Sequence, residues 1–185
     1  MKISLELTDC DLNYFREAML RARENARTLS QDDIIDNAQR LLREVRDADT
    51  SDFILDRMHQ LETLIGMVED LAWALDEEDR SRALRALSYF AEPEDLIPDD
   101  VPGLGFLDDA IMIEIVSQEM EHEIRAYRDF CVYRTAATTR PDTADLPLER
   151  SDWLEERRRQ LHSRMRRRRR RSQDGCSGKS PFSLF

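Results

Sequence analysis

The chain has 185 residues, 41% of them hydrophobic and 36% charged, and a formal net charge of −11. This length and apolar content fit one domain plus an appendage, and the scarcity of glycine and proline favours long helices. Three scattered cysteines without a C-x-x-C pair argue against a disulfide framework and a zinc knuckle, and no apolar run approaches the roughly 18 residues of a membrane span.

The first residues alternate apolar and polar side chains, with Ile3, Leu5 and Leu7 on one side. This pattern predicts a short strand or an extended arm, and it lacks the apolar run of a signal peptide. No second strand pattern follows. A strand here would therefore need a partner from another copy or from the helices.

Three helices are predicted next, each with a recognisable start. The first begins after Thr8 and ends near Arg27, and the second opens with Ser30 and Asp33 at the spacing of a capping box. The third is capped by Ser51. Its apolar stripe is the longest in the chain and recurs every three or four residues, at Ile54, Met58, Leu61, Ile65, Val68, Ala72 and Leu75.

Two further helices complete a predicted five-helix bundle. Four acids at 76–79 interrupt the pattern, and a shorter helix four follows from about Arg80 to Ala91. Helix five is expected to begin at Asp108 as its N-cap and to continue to about Tyr133. Its first turns are apolar on every side, which places them at the centre of the bundle.

Residues 93–109 lie between helices four and five. They form the only stretch whose residue order is not explained by helix periodicity alone. We call it the joint. Its prolines restrict the backbone and remove donors, and its glycines permit positive φ or close approach. It is mostly apolar, so it is expected to lie on the core or to face an apolar partner. The residues that define this structural joint are Pro93, Pro98, Pro102, Gly103 and Gly105.

The joint also carries a motif: DLIPD at 95–99, PGLG at 102–105 and DDA at 108–110. This motif closely resembles that of the YkvA-like bacterial domain of unknown function, over about residues 80–116. The resemblance implies a small α-helical bacterial domain, associated with membranes in some members and without an established activity.

The C-terminal part differs in charge from the body. Residues 1–149 carry 16 basic and 35 acidic side chains, a formal charge of −19, whereas residues 150–185 carry 12 and 4, a charge of +8. We predict an acidic helical domain over 1–134, a linker over 135–150, an arginine-rich helix over 151–171 capped by Ser151, and a disordered tail over 172–185.

The joint and two acid–histidine pairs are the candidates for metal chemistry. The aspartates of the joint offer oxygen ligands for a divalent cation. Capping of helix ends and turn formation also explain them, and this is the interpretation that we favour. The joint has five aspartates, and with Asp100 set aside the candidate cation ligands are Asp95, Asp99, Asp108 and Asp109. Asp56 with His59, and Glu119 with His122, have the spacing of di-iron bundles but flank the apolar stripes, so we expect them at the solvent boundary.

The arginine run is the candidate anion-binding tail: Arg166, Arg167, Arg168, Arg169, Arg170 and Arg171. It suits an anionic polymer, or anionic lipid with Trp153 and Leu154 as anchors, through residues 157–171. No aromatic residue stands among the arginines, so base stacking is not predicted. The competing interpretation is electrostatic docking on the acidic body or on a second copy.

No catalytic motif is legible, so we assign no catalytic residue and no cofactor and favour a non-enzymatic protein. The sequence predicts a cytoplasmic helical interaction protein with an acidic body and a basic tail, with a protein partner or self-association. Two alternatives stay open. One is a carboxylate-metal hydrolase centred on the joint, and the other is a protein peripheral to the inner face of the membrane.

Overall fold

The computed structural model describes residues 8–25, 28–48, 50–91, 105–139 and 147–175. These residues form seven α-helices and one short 3-10 helix, and the described part of the chain contains no strand. The predicted all-α class is therefore confirmed. The predicted strand at residues 3–7 lies outside the described residues.

The contacts within the chain divide it into two compact units, which we call the N-terminal unit (Met1–Met120) and the C-terminal unit (Glu121–Phe185). The first carries 12 basic and 29 acidic side chains, and the second carries 16 and 10. The prediction that residues 1–134 form one acidic domain stays a prediction.

Helices α1 (Asp9–Asn25) and α2 (Gln31–Asp47) begin where their capping residues predict. The Ser30 hydroxyl accepts a bond from the Asp33 amide, and the Asp33 carboxylate accepts bonds from the Ser30 hydroxyl and amide, at 2.6 and 3.1 Å. These bonds from the Ser30 side chain and then its backbone hold the pKa of Asp33 below its ordinary value. Thr8 and Asp11 make the same arrangement at the start of α1.

Helix α3 (Asp52–Glu69) starts after Ser51 as predicted but ends earlier than its apolar stripe. The Asp70 carboxylate accepts bonds from the amides of Ala72 and Trp73, at 2.9 and 3.2 Å, and this local turn replaces helical bonding. Trp73 is completely buried in that turn. The predicted continuation of helix three through Leu75 is therefore wrong, because periodicity does not separate a buried turn from another helical turn.

Helix α4 (Glu77–Leu87) incorporates three of the four acids at 76–79, which were predicted to precede it. Asp76 is the N-cap, and its carboxylate accepts a bond from the Asp79 amide at 2.9 Å. Anionic side chains are favoured in the first turn because the amide groups there carry positive partial charge. The helix is followed by the 3-10 helix Ser88–Ala91.

The residues of predicted helix five form two helices, α5 (Leu107–Glu119) and α6 (Glu121–Thr139). The prediction of a five-helix bundle is therefore wrong. Met120 leaves the helical conformation, at φ −105° and ψ 16°. Asp108 is not the N-cap. That position belongs to Phe106, which adopts a left-handed backbone with φ 63° while its ring is buried. The burial of a phenylalanine ring, worth about 1.5–3 kcal/mol, offsets a left-handed cost of about 1–2 kcal/mol.

The N-terminal unit has its core where α3 packs against α2, α4 and α5, and the 3-10 helix packs against α1 and α2. The first turns of α5 are buried on every side, as their apolar pattern predicted. Two arginines of α4 bond the ends of neighbouring helices. Arg80 donates to the Val68 carbonyl at 2.6 Å, and Arg82 donates to the Glu119 carbonyl at 2.9 Å. These carbonyls belong to last turns, which lack intrahelical donors.

The C-terminal unit is an antiparallel pair of α6 and α7 (Pro147–Gly175). Glu123, near the start of α6, meets Arg169 near the end of α7, while the guanidinium of Arg157 lies 5.4 Å from the ring centre of Tyr133. Helix α7 starts at a proline, whose missing N–H is not needed in a first turn. Ser151 is thus inside α7 and is not its cap.

The helix bounds also correct the predicted linker and tail. Residues 135–139 are helical in α6 and residues 147–150 are helical in α7, so the predicted linker over 135–150 was drawn too long. Helix α7 continues to Gly175, beyond the predicted end at residue 171. Residues 140–146 and 176–185 lie outside the described residues.

Candidate anion-binding site

Helix α7 concentrates positive charge over fifteen residues. Between Arg157 and Arg171 it carries ten arginines and no acid. Arginines four residues apart repel on a helix, and each such pair costs about 0.2–0.5 kcal/mol. Three pairs have this spacing, Arg164 with Arg168, Arg166 with Arg170, and Arg167 with Arg171. The sequence thus accepts an electrostatic cost along the helix.

A cavity of about 420 Å³ lies on one face of this helix. Its described lining residues recur at three- and four-residue spacing, so they follow the helix axis. We call this feature the arginine groove, and it is lined by Arg159, His162, Ser163, Arg166, Arg167 and Arg170.

The opposite side of α7 forms the seam with α6. Leu161 and Met165 are buried there, at 2% and 1% exposure. Arg169 reaches Glu123 across the seam, with Nη1 and Oε1 3.0 Å apart, and the side chains are 12% and 1% exposed. A hydrogen bond of 2.8 Å joins the His122 ring to the Ser172 hydroxyl nearby. One member of the predicted anion-binding run therefore has a structural partner inside the same unit.

The other members of the run differ in exposure. Arg167, Arg170 and Arg171 are exposed, whereas Arg166 and Arg168 are half-buried. At the N-terminal end of the groove, Arg159 bonds the Glu155 carboxylate one turn earlier. Arg167 and Arg170 therefore combine a place in the groove with an exposed side chain.

The joint is described only at its C-terminal end. Asp108 and Asp109 occupy the first turn of α5 and are buried, at 1% and 6% exposure, and Gly105 is buried in the preceding turn. The first turn of a helix favours anions. The predicted site residues Asp95, Asp99, Pro93, Pro98, Pro102 and Gly103 lie outside the described residues.

Within the described residues, no three His, Cys, Asp or Glu side chains stand together in a way that holds an ion. His59 is exposed and contacts Glu62 at 3.1 Å, and His122 contacts Ser172, so neither histidine is used at the di-iron spacing. The cation hypothesis for Asp95 and Asp99 stays a prediction.

The predicted anion-binding range, residues 157–171, included Arg159, His162 and Ser163 without assigning them individually. Their three- and four-residue spacing from Arg166 and Arg170 was the signal for the groove. Glu123 was missed because an acid in the first turn of a helix is ordinary. Only the packing of α7 shows that Glu123 is buried against an arginine.

None of the helices, over the residues that the structure describes, combines the length and apolar character that a membrane crossing requires. The exposed large apolar side chain of described α7 is Trp153, at 50% exposure. It precedes Arg166 by thirteen residues, or roughly 20 Å along the helix at about 1.5 Å per residue.

Residues 81–115 match a family model described as "Protein of unknown function (DUF1232)". The matched segment includes most of α4, the 3-10 helix, the joint and the first turns of α5. No curated protein and no solved structure matches the chain. The chain therefore contains, over about a fifth of its length, a segment similar to a domain family of unknown function.

Proposed function

We propose that this protein is a non-enzymatic helical interaction protein, in which α7 binds an anionic partner through the arginine groove. The carrying observation is the concentration of ten arginines over residues 157–171, with Arg167 and Arg170 exposed beside the cavity. Packing against α6 accounts for Arg169, through its contact with Glu123, and a ring contact accounts for Arg157. Arg167 and Arg170 instead line the groove with exposed side chains.

The proposal extends to the segment around the joint and to location. Its motif supports a YkvA-like assignment for residues 80–116, and the free Cys10 and Cys131 fit a reducing cytoplasm. In this account the N-terminal unit is a scaffold or a protein-binding surface, and α7 supplies the attachment to anions. The buried Asp108 and Asp109 support a structural role for the described end of the joint.

Retention on a phosphate-bearing resin tests the proposal. A chain with a formal charge of −11 is expected to be repelled by an anionic resin unless its positive charge is concentrated on one surface. We expect the full chain to be retained at low salt. The groove variant (Arg166→Gln, Arg167→Gln and Arg170→Gln) should elute at clearly lower salt.

A control variant removes the same charge elsewhere, by Arg43→Gln, Arg125→Gln and Arg128→Gln. All three arginines are exposed, and none lines the groove. The control variant should elute with the unmodified chain. Flow-through of the unmodified chain, or equal elution of the two variants, would refute an anion-binding role for the groove.

A further inference from the structure

We infer that the anion bound by the arginine groove is the phosphate backbone of double-stranded DNA, recognised without base specificity. This inference rests on the proposed function and names its ligand class. It follows from the length of the groove, from the exposed arginines beside it, and from the kinds of residue that are missing among them.

The groove is elongated along the helix axis. Arg159 and Arg170 are eleven residues apart, so its ends are separated by roughly 16 Å at about 1.5 Å per residue. Arg166 and Arg170 are one helical turn apart, roughly 6 Å. A single phosphate calls for donors that converge on one point, whereas these guanidinium groups follow a line. A duplex of the same length carries roughly nine phosphates, since its charges recur about every 1.7 Å.

Exposed arginines also flank the groove on the same helix. Arg164 and Arg171 are exposed, and they lie more than a quarter turn around the helix from Arg166 and Arg170. A helix with arginines on both sides of its exposed face suits the major groove of B-form DNA, which is about 12 Å wide and has phosphates on both rims. The deep, narrow major groove of A-form RNA does not admit a helix in this way.

The side chains between the arginines argue against base readout and single strands. Single-stranded nucleic acid is held by aromatic stacking platforms, and residues 157–172 contain no aromatic ring other than His162, which is buried to 9% exposure. Gln160, an amide that recognises adenine in other contexts, donates to Glu156 at 2.8 Å. The remaining donors are suited to phosphates, which position a protein without reading sequence.

The same stretch differs from a membrane-binding helix. Interfacial helices combine basic side chains with an exposed apolar face. Among residues 157–172 the large apolar side chains, Leu161 and Met165, are buried in the seam with α6. Trp153 lies outside this stretch, roughly 9 Å along the helix from Arg159 and roughly 20 Å from Arg166.

The test is fluorescence anisotropy of the full chain with a labelled duplex of about 24 base pairs, or roughly two helical turns. Salt should be varied between about 50 and 200 mM, and unrelated sequences should bind within about twofold of each other because phosphates carry no sequence information. The logarithm of the binding constant should fall linearly with the logarithm of salt concentration. In the groove variant, affinity at low salt should drop at least about tenfold, and the slope should become shallower by roughly three, about one for each lost phosphate contact.

The control variant and three other ligands decide the alternatives. The control variant should bind DNA within about twofold of the unmodified chain, because its exposed substitutions lie outside the groove. Single-stranded DNA and duplex RNA should bind more weakly than duplex DNA, and tighter binding to either would overturn the choice of ligand. Vesicles of phosphatidylserine and phosphatidylcholine that bind in a groove-dependent way, without DNA binding, would assign the groove to membranes instead.

The two proposals fail in distinguishable ways. Resin retention that depends on the groove, without duplex binding, refutes the DNA inference and leaves the anion-binding function standing. Loss of both refutes both. Circular dichroism of each variant checks that the helices persist, which we expect because glutamine has nearly the helix propensity of arginine.

Discussion

In the N-terminal unit, charged side chains stand where the backbone needs them, whereas along α7 arginines follow one another through the middle of a helix. Asp33 and Asp76 are bonded at the starts of α2 and α4, and Arg80 and Arg82 donate to carbonyls at the ends of α3 and α5. Unpaired backbone groups at helix ends explain these positions. No such group explains a run of six arginines within α7.

Charge therefore has two uses in this chain. The acid surplus of the N-terminal unit is partly structural, since acids cap and begin its helices. Along α7 the arginines differ in their surroundings, because Arg169 enters the seam with α6 as an ion pair whereas Arg167 and Arg170 are exposed. Substitutions can separate the charged side chains that the fold requires from those available to a partner.

The largest effect is expected for Arg169→Ala. It leaves the buried Glu123 carboxylate without this guanidinium, and removal of one partner from a buried pair costs about 3–5 kcal/mol. Hydrogen exchange of the α6 and α7 amides should accelerate accordingly. Arg170→Ala, one residue on and exposed, is the matched control and should shift stability by less than about 0.5 kcal/mol.

A second comparison refines this result. Replacement of both partners by apolar residues, Glu123→Leu with Arg169→Met, removes the buried carboxylate together with the guanidinium. This double variant should be more stable than Arg169→Ala alone, because a buried pair contributes little beyond a well-packed apolar pair. Unchanged stability in Arg169→Ala would show that Arg169 belongs with the arginines that the fold does not use.

A smaller loss is expected for Arg80→Ala in the N-terminal unit. The Arg80 side chain donates to the Val68 carbonyl and, at 3.1 Å, to the Gln31 side chain. Loss of a hydrogen bond from a charged donor to a half-buried carbonyl lowers the free energy of unfolding by about 2 kcal/mol. Urea unfolding measures it, with the exposed Arg43→Ala as control. Equal midpoints for the two variants would contradict a structural role for Arg80.

The capping box at the start of α2 gives a pH-dependent prediction. Because its bonds to Ser30 lower the pKa of Asp33 in the folded state, Asp33 contributes stability above the ordinary aspartate pKa and loses it as pH falls through the lowered folded pKa. The unmodified chain should therefore exceed Asp33→Asn in urea midpoint near neutral pH, and the two should converge in acid. A difference that is independent of pH would contradict this origin.

The smallest effect on stability is expected for Arg167→Gln with Arg170→Gln. Both side chains are exposed, and their removal relieves repulsion with Arg171 and Arg166, so stability should change by less than about 0.5 kcal/mol. The same variant should lose much of its retention on the phosphate-bearing resin. A large loss of stability would instead place these arginines among the structural ones.

Local chemistry was predicted well from the sequence because its partners lie within one turn. The bonds between Ser30 and Asp33, and between Thr8 and Asp11, follow from residue types three positions apart. The burial of the first turns of α5 followed in the same way, since a helix that is apolar on every side needs cover on every side. These features require no knowledge of distant residues.

Helix ends and the groove were predicted less well because they depend on contacts between distant residues. The Asp70 turn ends α3 although Trp73 continues an apolar pattern, and Met120 separates α5 from α6 without a proline or a glycine. The arginine run was recognised from composition. The run could be divided into a structural residue and a groove only from the packing of α6. This packing brings Glu123 into contact with Arg169, although the two residues are 46 positions apart in the chain.

By itself, the sequence determined the all-α class, the starts of α1, α2 and α3, and the separation of an acidic body from a basic C-terminal part. These follow from periodicity, capping and charge, which act over a few residues or over composition. Two features depend on the tertiary structure: Phe106 is the N-cap of α5 in a left-handed conformation, and Arg169 forms a buried ion pair with Glu123. Both outcomes depend on burial, which is a property of the packed chain.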